Sequence, residues 1–226
     1  MFKVKKKSPK CKASYPWLNT ADTKFGTPGH YKVNLVINPA QDEESAKYLE
    51  DYEKMLVTAK ADCIEKIKEK ISTIPANAKN KAKIDSFKNL ISNIDTEFKH
   101  PLKEEYDDMG ELTGNMILEC RTKAQITTRE GEVIDMKPKC YDATGAYLDQ
   151  PPAIYAGSVL RLVNTFDNYF MDSNATCGVA KAKINGVQII SLSAGSGGSD
   201  FGVEDGGYVQ EQKVTPTLDD LESDEY

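Results

Sequence analysis

The strongest constraint on the fold is a change in the spacing of apolar residues along the chain. Apolar and polar residues alternate from 30 to 37, as they do in a half-buried β-strand. From Gln41 to about Ser72, apolar residues recur every three or four positions, which predicts a long amphipathic helix. A weaker helical pattern continues to Ile94, and alternation resumes at Asn115. We therefore expect a helical insertion between strands.

The later alternating stretches are short and separated by turn residues. They cover residues 115–124, 133–141, 157–166 and 177–192, with a polar hairpin at 164–172 and a break at Asn185-Gly186. About five short strands interrupted once by helices favour a small Greek-key barrel over a sandwich, and a five-stranded barrel of this kind is the OB-fold. We predict a mainly β (α+β) domain over residues 1–192, an OB-fold barrel with a helical insertion at about 41–94.

The C-terminal end has a different composition. Residues 193–199 are a Gly/Ser linker, and residues 200–226 hold nine acids against Lys213, so their net charge is −8 and the rest of the chain sums to +2. Such a segment has too little apolar surface to fold alone, so we predict a disordered acidic tail. Its charge and terminal ring imitate a short single strand of nucleic acid. The candidate residues of the tail for contacts with partners, and for competition with such a strand, are Asp219, Asp220, Glu222, Asp224, Glu225 and Tyr226.

Several classes of function are disfavoured. The five cysteines include no C-x-x-C pair and only two histidines accompany them, so we expect reduced thiols and no metal site. No apolar run approaches the roughly 18 residues of a membrane span, so we expect an intracellular protein without a membrane segment. The Gly195–Gly198 run precedes acids rather than a helix, unlike a phosphate-binding loop. We predict neither an enzyme nor a cofactor.

Basic residues on the outer faces of the strands and rings at strand ends and loops indicate a nucleic-acid groove. Lysine and arginine neutralise phosphates, and flat rings stack on unpaired bases for about 1–3 kcal/mol each, whatever the base. The predicted ligand is therefore a single strand of nucleic acid. The predicted binding residues are Tyr15, Trp17, Phe25, Lys32, Arg121, Lys123, Arg161, Tyr169, Phe170, Lys181 and Lys183.

These residues also have structural interpretations, which stay open. Trp17 and Phe25 could plug a barrel end, and any single lysine could be a solvated surface charge. The long helix is expected to pack on its own domain or on a second subunit. Two rival functions follow: an assembly protein that uses this helix as its interface, and an RNA-binding OB-fold, which differs from a DNA-binding one only in contacts to the 2′-hydroxyl.

Four segments, in order and spacing, resemble a known family. They are Phe25 to Leu35 (FGTPGHYKVNL), Pro101-Leu102-Lys103 followed by acids, Tyr141 to Gly145 (YDATG), and Tyr169-Phe170. A glycine-rich linker and an acidic tail closed by an aromatic residue complete the pattern. Together they resemble the single-stranded DNA-binding proteins of T7-like bacteriophages.

The resemblance implies an OB-fold with an inserted helix, a basic and aromatic groove for single-stranded DNA, and a homodimer. It implies a role in phage DNA replication, recombination and repair in the cytoplasm of the infected bacterial host. It also implies that the tail contacts the replication polymerase and primase-helicase and competes with DNA for the groove. By position, Tyr169 and Phe170 match the family's stacking aromatics, Arg161 a groove base, and Tyr226 the terminal ring.

Overall fold

The computed structural model describes residues 2–194. It confirms the mainly β, α+β class. The predicted linker beyond Ala194 and the acidic tail lie outside the described residues. In chain order the elements are β1 (Lys3–Lys7), β2 (Cys11–Asp22), β3 (His30–Ile37), α1 (Glu43–Thr73), α2 (Lys81–Ser92), α3 (Ile94–Glu97), β4 (Leu102–Tyr106), β5 (Leu112–Lys123), β6 (Gln125–Thr127), β7 (Val133–Asp135), β8 (Lys139–Tyr141), β9 (Tyr147–Leu148), β10 (Val159–Met171), β11 (Thr176–Val179) and β12 (Lys183–Ser191).

Most strands belong to one large sheet. Eight of them follow the order β4-β5-β3-β2-β10-β12-β8-β9, β1 and β11 pair with β10 beside this path, and β6 and β7 form a separate ribbon. The strand β5 also meets the segment just before β12, because Cys120 of β5 forms an isolated β-bridge with Ala182. There the Thr122 hydroxyl accepts a hydrogen bond from the amide of Ile184 at 2.8 Å and donates to its carbonyl at 3.1 Å. The ladders themselves do not form a closed ring, so the five-stranded barrel stays a prediction.

The long helix α1 lies within two residues of its predicted ends. Asp42 caps it, because its carboxylate accepts a hydrogen bond from the Ser45 amide at 2.7 Å and so satisfies a donor left free at the helix start. The helix buries Tyr52, Cys63 and Ile67 completely against β10 and β11, and each large apolar side chain buried in this way contributes about 1.5–3 kcal/mol. The apolar side of α1 therefore packs on its own domain.

Two aromatic contacts join the helices to β10. The ring of Tyr52 on α1 meets that of Phe166 edge-on at a centroid distance of 5.6 Å. The ring of Phe87 on α2 meets that of Phe170 at 5.3 Å. Edge-to-face pairs of this kind add about 0.5–1.5 kcal/mol beyond the area that they bury. The predicted helical insertion is therefore confirmed, and its two main helices pack against β10.

Several strands differ from the sequence prediction. The N-terminal lysines form β1, and β2 and β4 were not predicted at all; β2 lacks simple alternation because it contains Pro16 and an irregular step. The predicted strand 133–141 is two strands, β7 and β8. Proline has no amide hydrogen for a ladder, and Pro138 lies between them, while the Met136 amide bonds to the carbonyl of Ala124.

The polar hairpin predicted at 164–172 is wrong. The strand β10 continues to Met171 because both halves of this stretch find partners, β1 for residues 163–167 and β11 for residues 168–171. The break predicted at Asn185-Gly186 is a β-bulge inside β12 rather than the end of a strand, and the chain leaves the ladder between β11 and β12. Asn185 is the extra residue of this bulge opposite β10, and its side-chain amide donates a hydrogen bond to the Thr165 hydroxyl at 2.6 Å.

The structure also bears on the sites that were disfavoured from the sequence. All five cysteines are free and buried. In the part of the chain that the structure describes, no three His, Cys, Asp or Glu side chains are grouped to hold a metal ion. Over the same residues, none of the helices combines the length and the apolar character needed to cross a bilayer.

Candidate nucleic-acid interface

A row of three side chains crosses neighbouring strands on the outer face of the sheet. Trp17 of β2 is paired with Lys32 of β3, and Lys32 is paired with Arg121 of β5. Side chains of directly opposed residues project from the same face, about 5 Å apart at their Cβ atoms. The pairing therefore places a ring, an ammonium group and a guanidinium group side by side, although they are far apart in sequence.

A β-bulge turns a second ring outward beside this row. Between Ser14 and Trp17 the strand β2 advances by three residues while β3 advances by two, and an extra residue of this kind bends a strand and re-aims its side chains. Tyr15 occupies the bulge with a φ of 49°, in the left-handed region that non-glycine residues rarely adopt. Its side chain is 74% exposed.

The loop between β2 and β3 supplies a third ring. Phe25 is 88% exposed at its tip. Gly29 anchors the end of the loop with a φ of 82°, and a Cβ there would lie 2.6 Å from the carbonyl oxygen of Asp22, so the backbone can approach this closely only at glycine. With Trp17 at 44% exposure, neither Trp17 nor Phe25 is a buried plug of the barrel end.

These residues line a depression of about 440 Å³, which we call the cleft. Six of the predicted binding residues line it, three aromatic and three basic. Its lining is Tyr15, Trp17, Asp22, Phe25, Gly26, His30, Lys32, Asn34, Glu119, Cys120, Arg121 and Lys181.

The charged groups of the cleft are held in defined positions. The Lys32 ammonium group forms an ion pair with Asp22 and lies 6.0 Å from the centroid of the Trp17 ring, within the range of a cation–π contact. The hydrogen bond from Lys32, followed by the backbone amide of Lys24, holds the pKa of Asp22 below its ordinary value. Asp22 is therefore ionised at neutral pH, and it orients Lys32 across the ring.

His30 lies beside Arg121 on the next strand. A terminal guanidinium nitrogen of Arg121 is 2.7 Å from Nε2 of His30. Burial, followed by the positive charges of Arg121 and Lys123, holds the pKa of His30 below its ordinary value, against a smaller opposite effect of Asp22. The imidazole is therefore neutral at pH 7, and its unprotonated nitrogen accepts a hydrogen bond from Arg121.

Glu119 connects the cleft to a neighbouring depression on the same surface. Its carboxylate accepts hydrogen bonds from Lys103 at 2.8 Å and from Lys181 at 2.5 Å. Burial alone would raise the pKa of Glu119, but these two lysines outweigh it and the pKa is lowered. Lys181 and Glu119 line both the cleft and the depression that contains Tyr169.

On the other side of the cleft, a depression shares Phe25 and His30 with it and includes Lys123. The predicted residues Lys123 and Tyr169 therefore flank the cleft at its two ends. Shared lining residues connect the two depressions to the cleft, Phe25 and His30 on one side and Glu119 and Lys181 on the other.

Three predicted binding residues lie apart from this surface. Arg161 forms an ion pair with Glu44 at the start of α1. Phe170, expected to be an exposed ring, is half-buried against Phe87, because the strand continues here and directs it toward α2. Lys183 is exposed on β12, opposite Thr165 of β10.

The structure adds residues that were not among the predicted binding set. His30 and Asn34 line the cleft from β3, and the alternation of that strand already placed them on the face of Lys32. Asp22, Glu119 and Lys103 were not predicted, because their roles depend on which strands are neighbours. No local pattern in the sequence indicates that Lys103 and Lys181 share one carboxylate.

The fold is similar to those of two solved single-stranded DNA-binding proteins of bacteriophages. One similar structure is gp2.5, a single-stranded DNA-binding protein encoded by bacteriophage T7, at a TM-score of 0.57 and 20% identity over 93% of this chain and 100% of that one. Another is the single-stranded DNA-binding protein from bacteriophage Enc34 in complex with ssDNA, at a TM-score of 0.51 and 12% identity over 85% and 89% of the two chains. At these identities the similarity establishes the fold.

Comparison by sequence alone finds no match. No family model matches the chain, and no curated protein matches it either. The resemblance to the T7-like phage proteins is therefore confirmed through the fold.

Proposed function

We propose that this protein binds single-stranded DNA without sequence preference through the cleft and its two flanking depressions. The observation that carries the proposal is the Trp17–Lys32–Arg121 row, which sets an exposed ring beside two cations. Bases stack on the rings of Trp17, Tyr15 and Phe25, and the cations neutralise the adjacent phosphates. Because every base has a flat face and every nucleotide a phosphate, these contacts do not discriminate between sequences.

The predicted OB-fold barrel is part of the same proposal. Its five strands are β2, β3, β5, β12 and β10, in that order around the barrel, with α1 between the second and third strands of the chain order. The Cys120–Ala182 bridge and the Thr122–Ile184 hydrogen bonds support closure between β5 and β12. In such barrels, oligonucleotides bind on the face of the strands that correspond to β3 and β5 here, where the cleft lies.

The protein is proposed to act as a non-catalytic coating protein in phage DNA replication, recombination and repair, in the cytoplasm of the infected host. The similar fold of the gp2.5 and Enc34 proteins supports this role. The acidic tail, residues 200–226, recruits the replication polymerase and primase-helicase, and the protein acts as a homodimer. The tail also competes with DNA for the cleft, so that partners gain access to it where DNA is bound.

Of the two rivals, an assembly protein that uses α1 loses support because the apolar side of that helix is buried in its own domain. RNA binding keeps the same contacts as DNA binding, and it differs in its response to the 2′-hydroxyl. Competition between ribose and deoxyribose strands of equal sequence decides between them.

The test is a titration of Trp17 fluorescence with oligo-dT at two salt concentrations. Trp17 is the single tryptophan of the chain, so its emission reports on the cleft directly. We expect quenching whose midpoint moves to higher oligo-dT concentration as salt rises, because counterions compete with the lysines. Absence of quenching at low salt would refute binding in the cleft.

A further inference from the structure

A second basic surface lies on strands that do not form the cleft. Lys3, Lys5 and Lys7 alternate along β1, and all three are exposed. Alternate residues of a strand point to one face and are spaced by about 7 Å, so the three ammonium groups form a regular row. In the sheet, Lys5 is paired with Thr165 and Lys7 with Val163 of β10.

The row continues into a basic surface across three neighbouring strands. Arg161 and Val163 of β10 are paired with Gln188 and Gly186 of β12, and Gly186 is paired with Lys139 of β8. A shallow depression of about 410 Å³ lies between Lys5, Lys7 and these strands. We call this surface the basic face; its cations are Lys3, Lys5, Lys7, Lys139, Arg161 and Lys183.

The charge of the basic face is largely uncompensated. Of its six cations, Arg161 pairs with Glu44, whereas the five lysines have no described carboxylate within ion-pair distance. Asp167, the register partner of Lys3, is the acid of β10 nearest to the row in the pairing. A surface with this excess of one sign attracts a polyanion.

The composition of the basic face favours a sugar-phosphate backbone over a protein partner. Protein interfaces are anchored by large apolar or aromatic side chains at their centre. Of the side chains that line this depression, Leu162 and Val187 are buried in the core, whereas Asn185 and Gln188 offer polar groups. The ring in the lining is Tyr141, and the ring of Tyr147 lies 6.0 Å from it. Lysine binds phosphate as a point charge that tolerates many orientations, and amides and hydroxyls donate to phosphate oxygens.

We propose that the basic face is a second binding surface for a nucleic-acid backbone, which holds phosphates without stacking bases. It shares no lining residue with the cleft. A strand held in the cleft is an intramolecular ligand for the basic face if it is long enough to reach it, so the second contact strengthens binding without a new encounter. The inference rests on the proposed function, because it treats the cleft as the first site.

The experiment compares a short oligo-dT of about 5 nucleotides with one of about 16, which span the range of site sizes known for single OB-folds. The full chain and the double variant Lys5→Gln/Lys7→Gln are titrated with both. Trp17 quenching reports the cleft, and anisotropy of a trace amount of rhodamine-labelled oligonucleotide, titrated with protein, reports affinity. The matched control is Lys47→Gln/Lys68→Gln, which removes the same charge from two exposed lysines of α1.

For the longer strand, we expect the slope of log affinity against log salt to become shallower by about 1.4 in Lys5→Gln/Lys7→Gln, since each lost phosphate contact on single strands accounts for about 0.7. Binding of the short strand, its Trp17 quenching, and both strands in the control variant stay unchanged. An unchanged slope with the long strand, or an equal change in the control, overturns the second surface while short-strand quenching still supports the cleft. If the wild-type chain binds neither strand, both proposals fail.

Discussion

Trp17 is the residue on which the proposed stacking in the cleft depends most directly. Removing the ring in Trp17→Ala should weaken binding of oligo-dT by about 1–3 kcal/mol, or about 5- to 150-fold in Kd, and Trp17→Phe should retain most of the affinity because it keeps a flat face. Anisotropy of labelled oligo-dT at low salt measures both. Trp17 is half-exposed, so the melting temperature should change little. A loss below twofold in Trp17→Ala would contradict stacking on this ring.

His30 is expected to make the proposed binding sensitive to pH. Its pKa is held below the ordinary value by burial and by the positive charges of Arg121 and Lys123, and Lys32 on the same strand lowers it slightly further. Together they outweigh the raising effect of Asp22. A phosphate beside it favours the protonated imidazole, so binding takes up a proton in the window between the free and bound pKa values. Affinity for oligo-dT should therefore rise as the pH falls below about 6.5.

The variant His30→Asn isolates this effect. It keeps the polar character of the position and removes the titrating group, so the rise in affinity between pH 7.5 and 5.5 should shrink, measured with a rhodamine label that does not itself titrate in this range. Folding has the opposite sign: with a lowered pKa, the unfolded chain binds more protons, so stability falls as the pH drops from about 6.5 toward the folded pKa. An identical pH profile in both proteins would rule out His30 as the source.

At the scale of elements, β11 is held against the segment that follows α3 by one close approach. The Val179 amide donates to the carbonyl of Lys99 at 2.8 Å, and a Cβ on Gly178 would lie 2.2 Å from that carbonyl oxygen. The depression beside the cleft is lined by both segments and by Tyr169. Glycine at 178 therefore sets the position of one end of the candidate interface.

Gly178→Ala should destabilise the protein by about 1–3 kcal/mol, the usual cost of forcing an extra atom into a packed contact. Urea unfolding followed by circular dichroism measures this. Gly186→Ala is a suitable control, since a Cβ there meets Tyr141 at an ordinary 3.5 Å and should cost far less. Equal stability of the two variants would mean that the backbone near Lys99 adapts freely.

At the scale of the whole molecule, the acidic tail is expected to act on the cleft as a competitor. Met1–Gly195 forms a compact unit by itself, so a protein that ends at Gly198 should still fold. It should bind oligo-dT more tightly than the full chain at low salt, because the intramolecular anion is gone. The difference should diminish as salt screens both ligands. Equal affinities at low salt would refute the competition.

The sequence by itself determined the elements whose signals are local. The period of apolar residues predicted α1 to within two residues at each end and the two faces of β3, because side-chain direction in a regular element depends only on spacing. Residue types alone also identified six of the residues that line the cleft. Rings and cations outside the core are visible without knowing which strands pair.

Only the tertiary structure decided what those residues do together. The Trp17–Lys32–Arg121 row exists because β2, β3 and β5 are neighbours. The same strand pairing directs Phe170 toward Phe87 and leaves Arg161 with Glu44. It also places the N-terminal lysines, which the sequence shows only as a basic end of the chain, on a strand that pairs with β10. Pairing between distant segments is fixed by the burial of the whole core rather than by the local sequence, and so the position of each charge on the surface follows from the fold.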